Sequence, residues 1–302
     1  MKSLYRISIW LLALFCVSSC ATLKRGLTAD TSKSDYTASE LTEMYHPEGV
    51  LQDVIYECSV DGPSKRRMLV YLPAEYGSNP EKRYPVLYIF HGARGNETAW
   101  VIKGNILHLT DSLYAKGALD PFILVMPNMN QYSDDTDMGN SRFKQPLEAI
   151  FETDGAVETG FVHDVVGTVD SLFRTIPDKK HRAISGLSLG GLQSIFISAN
   201  HPDVFDMIGL YSPMHYGPVR KSAYSDFYKK RNDKMEVQFS DAPSLYSIFI
   251  GNKDVFYMNV EHFRADLHHK GFPFQYSERK GGHNWDCWQE FYCLFAQQCF
   301  GR

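Results

Sequence analysis

The sequence predicts an α/β fold: a mostly parallel central sheet with an antiparallel hairpin at one edge and helices on both faces. Short apolar runs alternate with segments of helical periodicity from residue 84 onward, a pattern typical of parallel strands joined by helices. The run 84–90 is almost wholly apolar, as expected for a central strand buried on both faces. Two predicted strands near residue 60 have only a turn between them, which indicates the hairpin.

In chain order, the hairpin strands are predicted at 50–60 and 68–73, with Asp61-Gly62-Pro63 as the turn. The helix at 159–173 follows from apolar side chains at helical spacing, and Gly271 ends the helix at 256–270. The same reasoning predicts the other strands at 84–90, 121–127, 181–185, 205–210, 245–250 and 274–278, and the other helices at 105–116, 192–199 and 285–300.

The composition is that of an ordinary globular domain. Hydrophobic residues make up 44% and charged residues 22% of the 302 residues, and one α/β domain at 49–302 accounts for most of this length. A net charge of -4 gives no indication of nucleic-acid binding.

The first twenty residues have the pattern of an export signal. Lys2 and Arg6 form a basic start, residues 7–17 form an apolar run too short to span a bilayer, and small residues precede Cys20. This ending resembles a bacterial lipobox, in which the cysteine is lipidated; an ordinary signal peptide ending near a cysteine is the alternative. We expect a lipoprotein signal peptide at 1–19, a flexible polar tether at 20–48, and an exported protein anchored to a bacterial membrane through lipid on Cys20.

The cysteines do not predict a metal site. Cys287, Cys293 and Cys299 recur every six residues, which places neighbours on different faces of a helix and favours buried thiols. Zinc sites favour shorter spacings and mixed ligands, so no metal is expected. A bridge from Cys58 to the C-terminal segment stays open.

Residues 186–190 read Gly-Leu-Ser-Leu-Gly and place Ser188 between a predicted strand and a predicted helix. A strand, a sharp turn and a helix form the nucleophile elbow of a serine hydrolase, in which glycines two residues on either side relieve crowding. A glycine-rich turn without catalytic meaning is the alternative. The flanking elements favour the elbow, and the whole layout is that of an α/β-hydrolase.

The serine needs a base and an acid, which follow it along the chain in this fold. Asp254 comes just after the apolar strand 245–250, where the acid is expected; capping the next helix is its alternative role. Asp241 is a weaker alternative because no clear strand precedes it. Among eleven histidines, His283 has the required order and lies in a loop after Gly281-Gly282. We predict that Ser188, His283 and Asp254 form a catalytic triad.

An oxyanion hole needs two backbone N–H groups. The residue after the nucleophile, Leu189, is expected to supply one, and Ala93, in the loop after the strand 84–90, the other. His91 directly follows that buried strand, and we interpret it as a structural hydrogen-bonding group.

Several short segments carry a family resemblance: 70–73, 84–88, His91-Gly92, Trp100, 127–130, 181–184, 251–254 and 281–285. Taken together, they resemble the esterase D-like branch of the α/β-hydrolases, and within it carbohydrate esterase family 1, the feruloyl and acetylxylan esterases. The resemblance covers about residues 50–298. It implies a serine esterase that uses an acyl-enzyme and no cofactor. Leu189 departs from the methionine common in the family.

The substrate is less well defined, because the same branch holds S-formylglutathione hydrolases, siderophore esterases and mycolyltransferases. Residues 131–160 are expected to form a lid or cleft wall that differs between members. We assign Trp100, Asn130 and Trp285 to substrate binding, with core packing as the alternative for the tryptophans, Trp288 included.

The export signal favours an external substrate, so the leading hypothesis is removal of feruloyl or acetyl groups from plant-type polysaccharides or oligosaccharides. A siderophore esterase acting on a catecholate trilactone is the alternative; its anionic substrate requires a basic cleft, for which only Arg94 and scattered lysines are visible in the sequence. A non-catalytic glycan-binding lipoprotein is a third reading. The expected partners are an ester-substituted carbohydrate and, through Cys20, a membrane.

Overall fold

The computed structural model describes residues 36–130 and 152–302. In this part of the chain a single eight-stranded sheet has the order β1-β2-β4-β3-β5-β6-β7-β8. The strand β2 pairs antiparallel with both β1 and β4, and all the other neighbours are parallel. The predicted sheet and its antiparallel edge hairpin are confirmed. The strands are β1 Val50–Glu57, β2 Lys65–Leu72, β3 Val86–Phe90, β4 Ile123–Pro127, β5 Arg182–Leu187, β6 Met207–Tyr211, β7 Leu245–Gly251 and β8 Gln275–Arg279.

The helices pack on both faces of this sheet. The predicted helix at 159–173 is interrupted, because a π-helical segment at Val162–Val166 separates two short α-helices. The α-helices are α1 Ala38–Tyr45, α2 Ala99–Ile102, α3 Ile106–Ala115, α4 Ala156–Phe161, α5 Gly167–Leu172, α6 Leu189–Asn200, α7 Arg231–Ser240, α8 Tyr257–His269 and α9 Trp285–Phe300.

Two apolar layers hold the sheet, one on each face. Successive side chains of a strand point to opposite faces, so Tyr88 joins one layer while Leu87 and Ile89 join the other. Tyr88 meets Phe161 and Phe205 edge-on, with ring centroids 5.7 and 6.0 Å away. The wholly apolar sequence of β3 is thus explained by burial on both sides.

Three helices, α1, α2 and α7, correct the expectations from the sequence. The helix α1 lies within the stretch assigned to the tether, and Leu41 is fully buried. A capping box of Thr37 and Glu40 starts α1, and the Ala38 N–H donates to Asp53 on β1 at 2.8 Å. Placing the tether's end at residue 48 was therefore wrong, since from residue 36 the chain is folded against the sheet. The helices α2 and α7 were not predicted at all.

Several expectations concern residues outside the described part of the chain. They are the signal peptide 1–19, Cys20, the tether before residue 36, and residues 131–151 of the expected lid. The four described cysteines, Cys58, Cys287, Cys293 and Cys299, are thiols that no disulfide joins. The bridge from Cys58 that the sequence left open is not formed.

Candidate active site

Ser188 sits in a sharp turn between β5 and α6. Its backbone has φ 54° and ψ −114°, in the positive-φ region that is costly for a residue with a side chain. The turn is held by β6 and the loop after it, because the Ser188 N–H donates to the Tyr211 carbonyl at 2.9 Å and the Ser188 carbonyl accepts from the Met214 N–H at 3.1 Å. The strained turn lifts the serine above the carboxyl ends of the parallel strands.

The two glycines of the motif are required by close contacts. A Cβ on Gly186 would overlap the Gly190 carbonyl oxygen, and a Cβ on Gly190 would overlap the His91 carbonyl oxygen. Both obstacles are backbone atoms, which cannot move aside as a flexible side chain could. The structure therefore bears out the steric reason given for these glycines.

Asp254 and His283 come together from two neighbouring strand ends. Asp254 follows β7 and His283 follows β8. The His283 Nδ1–H donates to both carboxylate oxygens of Asp254 at 3.0 Å. This contact fixes the proton on Nδ1 and leaves Nε2 as the nitrogen able to accept a proton from a nucleophile.

Asp254 is a buried carboxylate that several donors stabilise. Burial acts to raise its pKa, but the hydrogen bonds from His283, from the Phe256 N–H at 2.8 Å and from the Ser212 hydroxyl outweigh burial. The pKa of Asp254 is therefore below its ordinary value. The side chain is charged at neutral pH, as an acid that orients a histidine must be.

The weaker alternative for the acid, Asp241, lies far from this arrangement. It follows α7 and precedes β7, so it lies toward the opposite edge of the sheet from Asp254. Its side chain is 90% exposed and pairs with Lys179 Nζ at 2.7 Å. Asp241 thus has a surface ion pair rather than a place beside His283.

Ser188 and His283 line one cleft of about 430 Å³, within the range usual for small-molecule sites. Among the described residues that line it, the charged side chains are two cations, Arg94 and Lys103, and none is Asp or Glu. Apolar and aromatic side chains form much of the remaining wall. The cleft is lined by Gly92, Ala93, Arg94, Gly95, Ala99, Lys103, Leu187, Ser188, Val255, Phe256, His283, Trp285 and Trp288.

The predicted oxyanion donors lie beside the nucleophile. The Gly95 N–H donates back to the Gly92 carbonyl at 3.0 Å, which makes residues 92–95 a tight turn that carries Ala93. A Cβ on Gly92 would lie 3.3 Å from the Ser188 Cβ, so this turn packs directly on the elbow. Leu189 is the first residue of α6, and its N–H has no acceptor within the helix. The Ala93 and Leu189 N–H groups therefore remain predicted oxyanion donors, and this geometry is consistent with that role.

Of the three residues assigned to substrate binding, only Trp285 lines the cleft. The assignment of Trp100 was wrong. Its ring is 1% exposed, donates its N–H to the Phe90 carbonyl at 3.0 Å, and supports Trp285 edge-on at 5.2 Å. The core-packing alternative holds for Trp100, because a ring so enclosed presents no surface to a substrate.

Asn130 also has a supporting position instead of the assigned one. It is buried, and its amide Nδ2 donates to the Gly95 carbonyl at 3.5 Å. Its own carbonyl accepts from the Arg66 guanidinium at 2.6 Å. Asn130 therefore contacts the turn that carries Ala93, and it is not one of the described residues that line the cleft.

Ser212 and Trp288 lie beside the triad. Sequence reasoning missed Ser212 and named Trp288 only as an aromatic ring that could stack on a substrate or pack in the core. Ser212, at the end of β6, is fully buried and has φ 47°. Its hydroxyl accepts from the Trp288 indole N–H at 3.2 Å, and Trp288 also contacts His283 edge-on at 4.9 Å. A Ser-Pro pair directly after a buried strand is a turn signal that could have drawn attention to Ser212.

Residues 36–130 and 152–302 contain no group of three or more His, Cys, Asp or Glu side chains that could hold a metal ion. Within the same ranges, no helix is both long and apolar enough to cross a membrane.

Comparison with known proteins places this geometry in a family. Residues 59–292 match the Esterase family, whose description is "Putative esterase". A Xylanibacter ruminicola protein named endo-1,4-beta-xylanase/feruloyl esterase is 36% identical over 152 residues, which are 49% of this chain and 20% of that protein. The structure of a ferulic acid esterase superposes with a TM-score of 0.63 at 23% identity, covering 83% of this chain and 99% of that one. A carbohydrate esterase family 1 ferulic acid esterase from Anaeromyces mucronatus gives 0.60 at 18% identity, covering 82% and 90%.

At these identities the two solved structures show the fold alone. The chain covers only a fifth of the length of the Xylanibacter ruminicola relative, so the named activities of that protein are not transferred by the match itself. The family match is different, because it spans most of the chain and includes Ser188, Asp254 and His283. The resemblance predicted from the sequence is confirmed: the chain belongs to the Esterase family.

Proposed function

We propose that this protein is a serine esterase that removes feruloyl or acetyl groups from plant-type polysaccharides or oligosaccharides. The observation that carries the proposal is the juxtaposition of a strained Ser188 and an Asp254-oriented His283 in one cleft. The substrate class is supported by the relative named xylanase/feruloyl esterase, whose name joins an activity on xylan to an activity on its ester substituents.

In the proposed reaction, the Ser188 hydroxyl oxygen attacks the ester carbonyl carbon while His283 Nε2 takes its proton. The carbonyl oxygen becomes an oxyanion that accepts hydrogen bonds from the Leu189 and Ala93 N–H groups, each worth on the order of 3 kcal/mol. The carbon–oxygen bond to the sugar then breaks, and His283 returns the proton to the departing sugar oxygen. Water attacks the acyl-enzyme by the reverse route and releases the acid.

The walls of the cleft suit an aromatic or sugar ring. Trp285, Trp288 and Phe256 line the cleft, and the rings of Trp288 and Phe256 lie edge-on to His283 with centroids 4.9 Å away. Val255, also in the lining, is 78% exposed. Flat apolar rings stack well on such surfaces. The triad argues against the third reading, a non-catalytic glycan-binding protein, since a binding protein has no need of a strained nucleophile.

Hydrolysis of a catecholate trilactone is the second candidate, and one observation favours it. Arg94 and Lys103 line the cleft while none of the described residues of its lining is Asp or Glu, so an anionic substrate meets no repulsion from this part of the wall. Two cations are a modest charge for a substrate with several acidic groups, and we therefore rank this activity second.

We further propose that the protein is exported and held on a bacterial membrane by lipid on Cys20. The support is the sequence of residues 1–20, with its basic start, apolar run and cysteine. Mass spectrometry of the native protein should find Cys20 as the lipidated first residue. An unmodified N-terminus elsewhere, or a Cys20→Ala variant that stays in the membrane fraction, would contradict the anchor.

The substrate is tested with a panel: methyl ferulate, acetylated xylan, p-nitrophenyl acetate and a ferric catecholate trilactone, each with wild type and Ser188→Ala. We expect the feruloyl or acetylated carbohydrate to give the highest kcat/KM, and Ser188→Ala to hydrolyse none of them. EDTA should leave activity intact, because no step uses a metal. Much faster cleavage of the trilactone would be consistent with the proposed mechanism but would contradict the proposed substrate class.

A further inference from the structure

Three hydrogen bonds connect the turn that carries Ala93 to the helix that carries Leu189. The His91 Nδ1–H donates to the Gly92 carbonyl at 2.8 Å. The Met129 N–H donates to His91 Nε2 at 2.9 Å. The Gln193 side-chain Nε2–H donates to the Met129 carbonyl at 3.2 Å. We call this chain, from Gly92 through His91 and Met129 to Gln193, the brace.

His91 occupies the centre of the brace as a neutral ring. One nitrogen faces a carbonyl and must donate, while the other faces an N–H and must accept, so only the tautomer with hydrogen on Nδ1 satisfies both. The ring is 4% exposed, and burial lowers the pKa of His91 to about 4. The mechanism described above makes no use of this buried histidine.

The other end of the brace is fixed by a buried carboxylate. The Gln193 Nε2 also donates to Glu158 Oε1 at 2.7 Å, so both of its hydrogens face acceptors and the amide has one possible orientation. Gln193 and Glu158 are both buried, at 2% and 3% exposed. The glutamine side chain therefore cannot turn away from Met129 without leaving buried polar atoms unsatisfied.

The two ends of the brace lie next to the two predicted oxyanion donors. Gly92 directly precedes Ala93, and Gln193 lies four residues, about one helical turn, after Leu189. The turn at 92–95 also rests on the imidazole, since a Cβ on Gly95 would lie 2.7 Å from His91 Nδ1. The separation of the donors thus depends on a path of short, buried hydrogen bonds.

We propose that His91 and Gln193 are positioning residues that set the distance between the Ala93 and Leu189 N–H groups at the oxyanion. The inference rests on the proposed function, because it gives these residues a role only where an oxyanion forms. Neither side chain touches the substrate. Their effect falls on the transition state, where charge develops on the carbonyl oxygen, and leaves the binding of the uncharged ester almost unchanged.

Substitutions at both ends of the brace test this. His91→Phe keeps a ring without nitrogens, whereas His91→Gln places an amide oxygen where it can accept from the Met129 N–H. Gln193→Met keeps the length of the side chain without its amide. The matched control is Gln238→Met, a glutamine that is 1% exposed on α7, on a different helix from the site. Each variant is assayed with p-nitrophenyl acetate and with an aryl trifluoromethyl ketone, which forms a tetrahedral oxyanion adduct on the serine.

We expect kcat to fall about 30-fold in His91→Phe and about 5-fold in Gln193→Met, with KM almost unchanged. The ketone should lose affinity by the same factors, because it also needs both donors. His91→Gln should recover most of the activity. The double variant His91→Phe/Gln193→Met should be no slower than His91→Phe, since both changes interrupt one path. Gln238→Met should match wild type in all these measurements.

Titration with a fluorophosphonate counts the folded active sites, so that unfolded protein does not imitate a slow enzyme. Wild-type kcat and ketone affinity per titrated site in His91→Phe would overturn the inference, as would independent, additive effects of the two changes. If Ser188→Ala still hydrolyses p-nitrophenyl acetate, the proposed function itself fails. If Ser188→Ala is inactive and His91→Phe behaves as wild type, only the brace is wrong.

Discussion

The two sides of the active site are assembled in different ways. On the nucleophile side, the residues from Gly186 to Gly190 form a single uninterrupted segment, and contacts within it or with the neighbouring turn dictate its glycines. On the acid–base side, Ser212, Asp254, His283 and Trp288 come from the ends of three strands and from one helix. The first side is a local motif, and the second exists only after the sheet has formed.

The contrast is sharpest between two serines. Ser188 and Ser212 end the neighbouring strands β5 and β6, and both have a positive φ, 54° and 47°. Strained backbone of this kind persists where the surroundings determine it from several directions. The glycines that flank Ser188 belong to the same short motif, so its strained backbone can be predicted from the sequence. The strain at Ser212 depends on Phe249, whose carbonyl accepts the Ser212 N–H at 2.8 Å, and on Trp288.

The largest expected effect is on the nucleophile side. Ser188→Ala should lower kcat/KM for p-nitrophenyl acetate by at least about 10⁴-fold, because the hydroxyl that forms the acyl-enzyme is lost. Alanine tolerates the strained φ about as well as serine does, so the fold should persist, which circular dichroism checks. Ser198→Ala is the matched control: this buried serine of α6 bonds only the Ile195 carbonyl of its own helix, at 3.2 Å. Turnover by Ser188→Ala comparable to that of Ser198→Ala would remove Ser188 from the mechanism.

The next effect is on the acid–base side. Asp254→Asn should lower kcat by about 10³- to 10⁴-fold, because an amide can hold the imidazole in the wrong tautomer. The exposed Asp241 provides the control, and Asp241→Asn should retain wild-type kcat. The comparison is made with p-nitrophenyl acetate at neutral pH. A larger loss in Asp241→Asn than in Asp254→Asn would restore the alternative acid.

The difference between the two sides also explains what the sequence could predict. Ser188 and Asp254 were predicted because each follows a segment expected to be a buried strand. His283 was predicted because it lies in a loop after a glycine pair and because the order of the three residues along the chain is restricted in this fold. The sheet was predicted because burial on both faces leaves a continuous apolar signal. Even the rejected acid, Asp241, was ranked lower because no strand preceded it.

What the sequence did not predict depends on contacts between distant residues. Nothing local distinguishes Trp100 from Trp285, yet only Trp285 lines the cleft, because α2 turns Trp100 into the layer that holds Tyr211 and Tyr292. Asn130 was assigned to substrate binding only because it lies in a segment that resembles the family. Its position against Gly95 is a tertiary contact. The helix α1 is an exception, because its capping box of Thr37 and Glu40 was visible in the sequence and was overlooked.

A smaller effect is expected at the serine that was missed. Ser212→Ala removes a hydrogen bond that lowers the pKa of Asp254 and an acceptor for the Trp288 indole. We expect kcat to fall about 10-fold with KM almost unchanged, because the carboxylate loses one of the donors that fix it. Trp288→Phe should act in the same direction and less strongly. Ser198→Ala is the control and should keep wild-type kcat. If Ser212→Ala also kept wild-type kcat, Ser212 would have a role in packing and none in positioning Asp254.

The smallest expected effect concerns stability and pH. The pKa of Asp254 is lower in the folded protein than its ordinary value of about 3.9, so the folded state favours the charged carboxylate. The stability this contributes is present above the ordinary pKa and is lost as the pH falls through the folded pKa. Buried acids such as Glu97 and Glu158 have pKa values that burial raises, and they contribute with the opposite sign.

Only the difference between wild type and Asp254→Asn therefore isolates Asp254, because the other acids are common to both proteins. Urea unfolding of the two at pH 7, 5, 4 and 3 should show the free energy of unfolding of wild type decreasing relative to that of the variant below about pH 4. Asp241→Asn, measured in the same way, shows how much the pH dependence of the free energy of unfolding changes when an exposed acid is removed. A difference between wild type and Asp254→Asn that stays constant, or grows in favour of wild type, as the pH falls would show that the donors around Asp254 do not stabilise its charge. The acid–base side would then be held together by packing against Trp288 and Phe256 instead of by hydrogen bonds to a carboxylate.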